Sequence, residues 1–122
     1  MLVAVYGTLK RGMSNHMLLD GAPYLGADTL KFITLYDLGE YPAALLEPSD
    51  GVMVEVFKVS STQIDALDRF EECDVLNSDA GLYKRCSCQT HYGDAWIYIY
   101  NRPVNRVRRL DSGSWCPSLL PK

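Results

Sequence analysis

The sequence predicts an α+β domain in which a curved or closed sheet is interrupted by one convincing helix. Three observations lead there. Several short segments carry the apolar runs or the alternation of strands. Only one segment, opening at Ser60, joins a helical period to a clear start signal. The chain has 122 residues, 48% of them hydrophobic, which suits one domain with a single real core. That domain is expected over residues 1–115, with a tail over 116–122 that is frayed or lies along the sheet.

The elements follow in order. Residues 2–6 are a short apolar run closed by Gly7, a buried strand. Residues 8–12 are a loop bounded by glycines, and Ser14 is placed to cap a short helix carrying Met17, Leu18 and Leu19. Over 30–38 the apolar residues Leu30, Phe32, Tyr36 and Leu38 fall on alternate positions, so this is read as a strand. Val52, Val54 and Val56 face one way and Met53, Phe57 and Val59 the other, a strand buried on both sides. Ser60 and Gln63 have the spacing of a capping box, with Val59 and Ile64 as its hydrophobic staple. The helix runs on through Ile64, Leu67 and Phe70. Residues 82–88 and 95–100 are two further strands around a turn at Tyr92, Gly93 and Asp94.

Composition excludes several classes. Twelve Lys and Arg against fifteen Asp and Glu give a net charge of −3, the wrong sign for nucleic acid as the main partner. No apolar run approaches the roughly 20 residues of a membrane span. The first residues have no basic segment ahead of the apolar run, so a signal peptide is not expected and the setting is read as cytoplasmic. Cysteines at 73, 86, 88 and 116 are then free thiols. Cys86, Cys88 and His91 would make an incomplete zinc set with no second ligand pair, so no metal site is assigned. Arg102, Arg106, Arg108 and Arg109 are read as a solvated face and His16 as a packing or capping residue.

Glu71 is the informative anomaly. At about 100° per residue it lies about 40° from Leu67, on the apolar stripe, while Asp65, Arg69 and Glu72 fall on the polar side. A carboxylate there either tilts into water where the helix frays or is a partly desolvated general base with a raised pKa. The loop after the first strand is the second candidate. A glycine following a buried strand lets successive N–H groups converge on an anion, although the segment matches neither the Walker A loop nor the dinucleotide fingerprint.

Taken together, these segments resemble a known family. Val5-Tyr6-Gly7-Thr8-Leu9-Lys10-Arg11-Gly12 with Asn15 resembles the N-terminal signature of the gamma-glutamylcyclotransferase-like proteins. Tyr41-Pro42-Ala43, Leu67-Asp68-Arg69-Phe70-Glu71, Leu82-Tyr83-Lys84-Arg85, Ala95-Trp96-Ile97-Tyr98 and Ser112-Gly113-Ser114-Trp115 are similar to its later motifs, in the same order. The resemblance implies a small mixed β-barrel with one main packed helix. It also implies cleavage of a γ-glutamyl amide by its own α-amine, giving 5-oxoproline and a free amine without cofactor. The gamma-glutamylamine type is the nearest reading. On this pattern Glu71 is the catalytic base, Gly7, Thr8 and Leu9 hold the glutamyl carboxylate and carbonyl, Tyr6 lines the pocket, and Tyr83 donates its hydroxyl to the glutamyl moiety. The implied partner is a small-molecule γ-glutamyl amide and the implied state a monomer. Two departures stand out: Glu72 occupies a position that is commonly Gly, and the loop over 77–81 is expected to shape the pocket rim. Two competing classes remain, a module that binds a small anionic ligand without turning it over and a purely structural domain. Neither gives a buried Glu71 a purpose.

Overall fold

The structure is a computed structural model describing residues 1–117, so residues 118–122 of the expected tail lie outside the described residues. Its strands are β1 (Leu2–Val5), β2 (Tyr24–Leu30), β3 (Thr34–Asp37), β4 (Pro42–Leu45), β5 (Val52–Lys58), β6 (Tyr83–Thr90) and β7 (Gly93–Tyr100), and its α-helix is α1 (Ser61–Phe70). Five strands hydrogen-bond in the order β2-β5-β1-β7-β6, and β3 and β4 form a separate ribbon. β1 lies at the centre, antiparallel to β5 and parallel to β7, which makes the sheet mixed.

The two-residue period of β1 divides the core. Ala4 and Tyr6 pack with Val52, Val54 and Val56 of β5, Ile97 and Ile99 of β7, and Trp115. Val3 and Val5 point the other way, onto Phe57, Val59, Tyr98 and the helix residues Ile64 and Leu67. Each of these larger aliphatic side chains contributes about 1.5–3 kcal/mol by leaving water. The alternation in β7 is thereby assigned: Ile97 and Ile99 belong to one core, and Trp96 and Tyr98 face the helix side.

The helix starts as the sequence indicates. Ser60 Oγ accepts from the Gln63 N–H at 3.1 Å, and Gln63 Oε1 accepts from the Ser60 N–H at 3.0 Å. Val59 and Ile64 share one core, as a staple requires.

Other expectations are corrected. The strand over 30–38 is broken between Leu30 and Thr34. Ser49 from the β4–β5 loop is the reason: its N–H donates to the Lys31 carbonyl at 2.9 Å and its hydroxyl to the Ile33 carbonyl at 2.6 Å, diverting groups a ladder would use. β5 is buried on both sides only toward its end: Val52, Val54 and Val56 are at most 1% exposed on one face, while on the other Phe57 and Val59 are buried and Met53 is 43% exposed. Ser14 does not cap a helix. The segment His16–Leu19 is a single 3-10 turn with Asn15 at its N-cap and no side-chain cap. The β6–β7 turn is His91-Tyr92, since Gly93 and Asp94 already pair with Thr90 and Gln89.

The barrel implied by the resemblance is not closed by a ladder among the described residues, because β2 and β6 end the sheet. The sheet does curl. The His91 N–H donates to Asp28 Oδ2 at 2.7 Å and the Tyr92 hydroxyl to the Ala27 carbonyl at 3.2 Å, bringing the β6–β7 turn onto β2. Gly26 allows this crossing: a Cβ there would lie 2.0 Å from the Tyr92 hydroxyl oxygen.

Candidate active site

The helix C-terminus sets Glu71. The Cys73 N–H bonds to the Asp68 carbonyl at 2.9 Å and the Glu72 N–H to the Arg69 carbonyl at 3.2 Å, the double bond of a Schellman ending. This motif wants a left-handed residue at the first position past the cap, and Glu72 supplies it with φ 55. The departure noted at this position thus falls on the one non-glycine residue with positive φ among those described. Capping of the last turn fixes Glu71 against fraying.

Glu71 lines a cavity of about 460 Å³ formed by the end of β1, the loop after it, the β3–β4 turn, the end of α1 and the start of β6. Its carboxylate has no hydrogen-bond or ion-pair partner among the described residues. Burial first, and then the charge of Glu72, push its pKa from 4.5 up to about 7. A group at that pKa exchanges a proton readily at neutral pH.

Tyr6, Gly7, Thr8, Leu9 and Tyr83, the other site residues predicted from the sequence, line the same cavity. Gly7 does not adopt positive φ; its role is clearance, because a Cβ would lie 2.6 Å from the Pro42 ring. The loop is braced by Lys10 N–H to Gly7 carbonyl at 3.1 Å and Asn15 N–H to Thr8 carbonyl at 2.9 Å. Among the described residues, the N–H groups of Gly7, Thr8 and Leu9 have no hydrogen-bond acceptor within the chain. Three consecutive free donors are what an anion or a developing oxyanion needs.

The tyrosines differ from expectation in one respect. The Tyr83 hydroxyl donates to the Pro42 carbonyl at 2.9 Å and the Tyr6 hydroxyl to the Tyr98 carbonyl at 2.5 Å. Each has spent its one proton, so each offers lone pairs rather than a donor. Burial above all, with Glu71 nearby, raises the pKa of both and keeps them neutral.

Residues not anticipated complete the site. Asp68, 6% exposed, does not line the cavity but accepts from the Tyr98 hydroxyl at 2.8 Å and lies 3.5 Å from Arg85 Nε, which ties α1 to β7 and β6. The helical phase carries this signal too, since Asp68 lies about 40° from Ile64 on the apolar stripe. Glu40 and Tyr41 reach the cavity from the β3–β4 turn. The loop over 77–81 does not line the cavity. Asn101 and Arg102 hold its carbonyls, at 2.7 Å for Ser78 and 3.0 Å for Gly81, against the end of β7.

The remaining candidates are structural. Lys10 is buried and donates to the Trp115 carbonyl at 2.8 Å. His16 Nδ1 bonds to the Leu9 carbonyl at 2.9 Å. Arg106 pairs with Glu47, Arg108 with Asp37 and Arg109 with Asp111. The four cysteines are free, and among the described residues no three His, Cys, Asp or Glu side chains gather as a metal site would require. Burial, with Asp68 and Glu71 close by, pushes the Cys73 thiol up to about 12. No helix among the described residues is long and apolar enough to cross a membrane.

Known proteins resemble this chain in sequence and in fold. Residues 3–117 match the family described as gamma-glutamyl cyclotransferase, AIG2-like. The chain is 40% identical to a Vibrio cholerae homologue over 94% of its own length and 95% of the other's. It is 35% identical over 80% of its length to the Niallia circulans gamma-L-glutamyl-butirosin B gamma-glutamyl cyclotransferase, covering 65% of that enzyme. The solution structure of YtfP from Escherichia coli superposes with a TM-score of 0.73 at 34% identity, covering 94% of this chain and 96% of that one. The crystal structure of PH0828 from Pyrococcus horikoshii gives 0.76 at 26% identity, over 93% and 88%. With the matched region spanning both the loop at Gly7 and the helix end at Glu71, the chain belongs to the gamma-glutamyl cyclotransferase, AIG2-like family.

Proposed function

We propose that the protein is a gamma-glutamyl cyclotransferase, releasing 5-oxoproline and a free amine from a γ-glutamyl amide. The observation that carries this is one cavity lined both by an unpartnered, half-buried carboxylate and by three residues with free backbone donors. A binder of anions would be weakened by that carboxylate, whereas a proton-transfer enzyme needs it.

In this reading the substrate's α-ammonium sits against Glu71 and the lone pairs of Tyr6 and Tyr83. Its carboxylate and γ-carbonyl take the N–H groups of Gly7, Thr8 and Leu9. Glu71 removes one proton, and the freed amine attacks the γ-carbonyl carbon. The new C–N bond closes a five-membered ring while the carbonyl oxygen gains negative charge, stabilised by the loop donors. Collapse breaks the original amide bond. The α-nitrogen gives up two protons in all. Glu71 delivers one to the departing nitrogen, and the second reaches it as the released amine becomes an ammonium ion. Folding the glutamyl chain into the attacking shape supplies much of the rate, with effective molarities of roughly 10⁵ M or more. Every role falls to protein groups, so no cofactor is invoked. We also read the chain as one domain over 1–115, acting as a cytoplasmic monomer, with the sheet's curl completing a small barrel.

Release of 5-oxoproline from a panel of γ-glutamyl amides tests the reading. Glu71→Gln is expected to lower the rate about 10²- to 10⁴-fold. An N-acetylated substrate should be inert, and its rapid cleavage would show hydrolysis instead.

A further inference from the structure

The cavity has an unusual charge balance at its mouth. Glu40 and Tyr41 lie in the β3–β4 turn, which is held by the Leu38 N–H on the Tyr41 carbonyl at 3.0 Å and by the Gly39 N–H on Asp37 Oδ1 at 2.8 Å. Opposite, Glu72 follows Glu71 on the capped end of α1. Three carboxylates therefore line the cavity, and no Lys, Arg or His does. Glu40 and Glu72 are exposed and form no ion pair among the described residues. Tyr41, next to Glu40 in the chain, lines the same cavity, and burial first and then Tyr100 and the three carboxylates raise its pKa.

The glutamyl half of the substrate uses up Glu71, whose charge its α-ammonium offsets. Glu40 and Glu72 remain, both lining the cavity and exposed, where the leaving group would reach solvent. A leaving amino acid or dipeptide brings a carboxylate that finds no cation there and two repelling anions. A leaving amine with a second positive charge finds two carboxylates and the Tyr41 ring, an aromatic face suited to a cation.

Building on the cyclotransferase reading, we propose that Glu40, Glu72 and Tyr41 select a leaving group that carries a further cationic centre and no carboxylate, a diamine or polyamine. Three substrates decide it: the γ-glutamyl amides of 1,4-diaminobutane, of butylamine and of alanine. At low salt the diaminobutane amide should exceed the butylamide about 5-fold or more in kcat/KM, as two partly exposed ion pairs imply. The alanine amide should be the poorest. The ratio of the first two should shrink toward one in about 0.5 M salt, where the Debye length is only a few ångström. In the double variant E40Q/E72Q the same ratio should approach one at low salt, whatever the absolute rates become. A butylamide or alanine amide that turns over as well as the diamine amide, or a ratio unmoved in the double variant, overturns the proposal and leaves cyclotransfer standing. Failure of all three to yield 5-oxoproline rejects cyclotransfer and this selectivity with it.

Discussion

Replacing Glu71 by Gln separates the chemical and the energetic consequences of its burial. The folded-state pKa of about 7 lies above the ordinary 4.5, so folding takes up a proton between those values. Stability of the parent protein therefore falls as pH rises through that window and is unpenalised below it. Glu71→Gln should be more stable than the parent at pH 8, by at most roughly 3 kcal/mol, and equal to it at pH 4; urea unfolding at the two pH values measures this. The kcat/KM profile of the parent should rise through a limb near pH 7 that the variant lacks. Glu71 was legible in the sequence because helical phase alone places it on the buried stripe. Asp68 lies on the same apolar stripe, about 40° from Ile64, but phase alone does not show which partners hold it there. Glu40 and Tyr41 were not legible as site residues, because only the packing of the β3–β4 turn brings them to the end of α1.

The end of α1 asks for glycine and holds Glu72. A non-glycine residue in the left-handed region costs about 1–2 kcal/mol, so Glu72→Gly should stabilise the protein by about 1 kcal/mol and raise Tm by a few degrees. Glu72→Gln removes the same charge but keeps the backbone cost, and should leave Tm close to the parent's. Both should move the pH limb of activity downward, because each removes the like charge beside Glu71. Thermal melts and pH–rate profiles of the two variants thus distinguish strain from electrostatics. At this scale the sequence was most informative where the signal is local. The capping box at Ser60 and the staple of Val59 with Ile64 need only neighbours. The break between β2 and β3 was hidden because it depends on Ser49, which lies beyond the intervening β3–β4 hairpin in sequence.

Across the whole molecule, the alternation of β1 was readable but its place in the sheet was not, since pairing is settled by partners far along the chain. The curl of the sheet was equally hidden: it depends on the His91-Tyr92 turn finding β2 across Gly26. The central position of β1 also governs how the molecule comes into being. Leu2 pairs with Lys58 on one side and with Ala95 on the other, so the first strand must wait for two segments far downstream. Closing such long loops precedes the contacts that reward it, and this topology folds slowly, on the order of milliseconds to seconds. Stopped-flow refolding followed by tryptophan fluorescence should show that timescale, Trp96 and Trp115 both belonging to the late-joining part of the chain. Until β7 arrives, the apolar strand that leads into the Gly7 loop has an unpaired edge. If the loop's three donors bind substrate as proposed, catalytic competence is among the last properties the folding chain acquires.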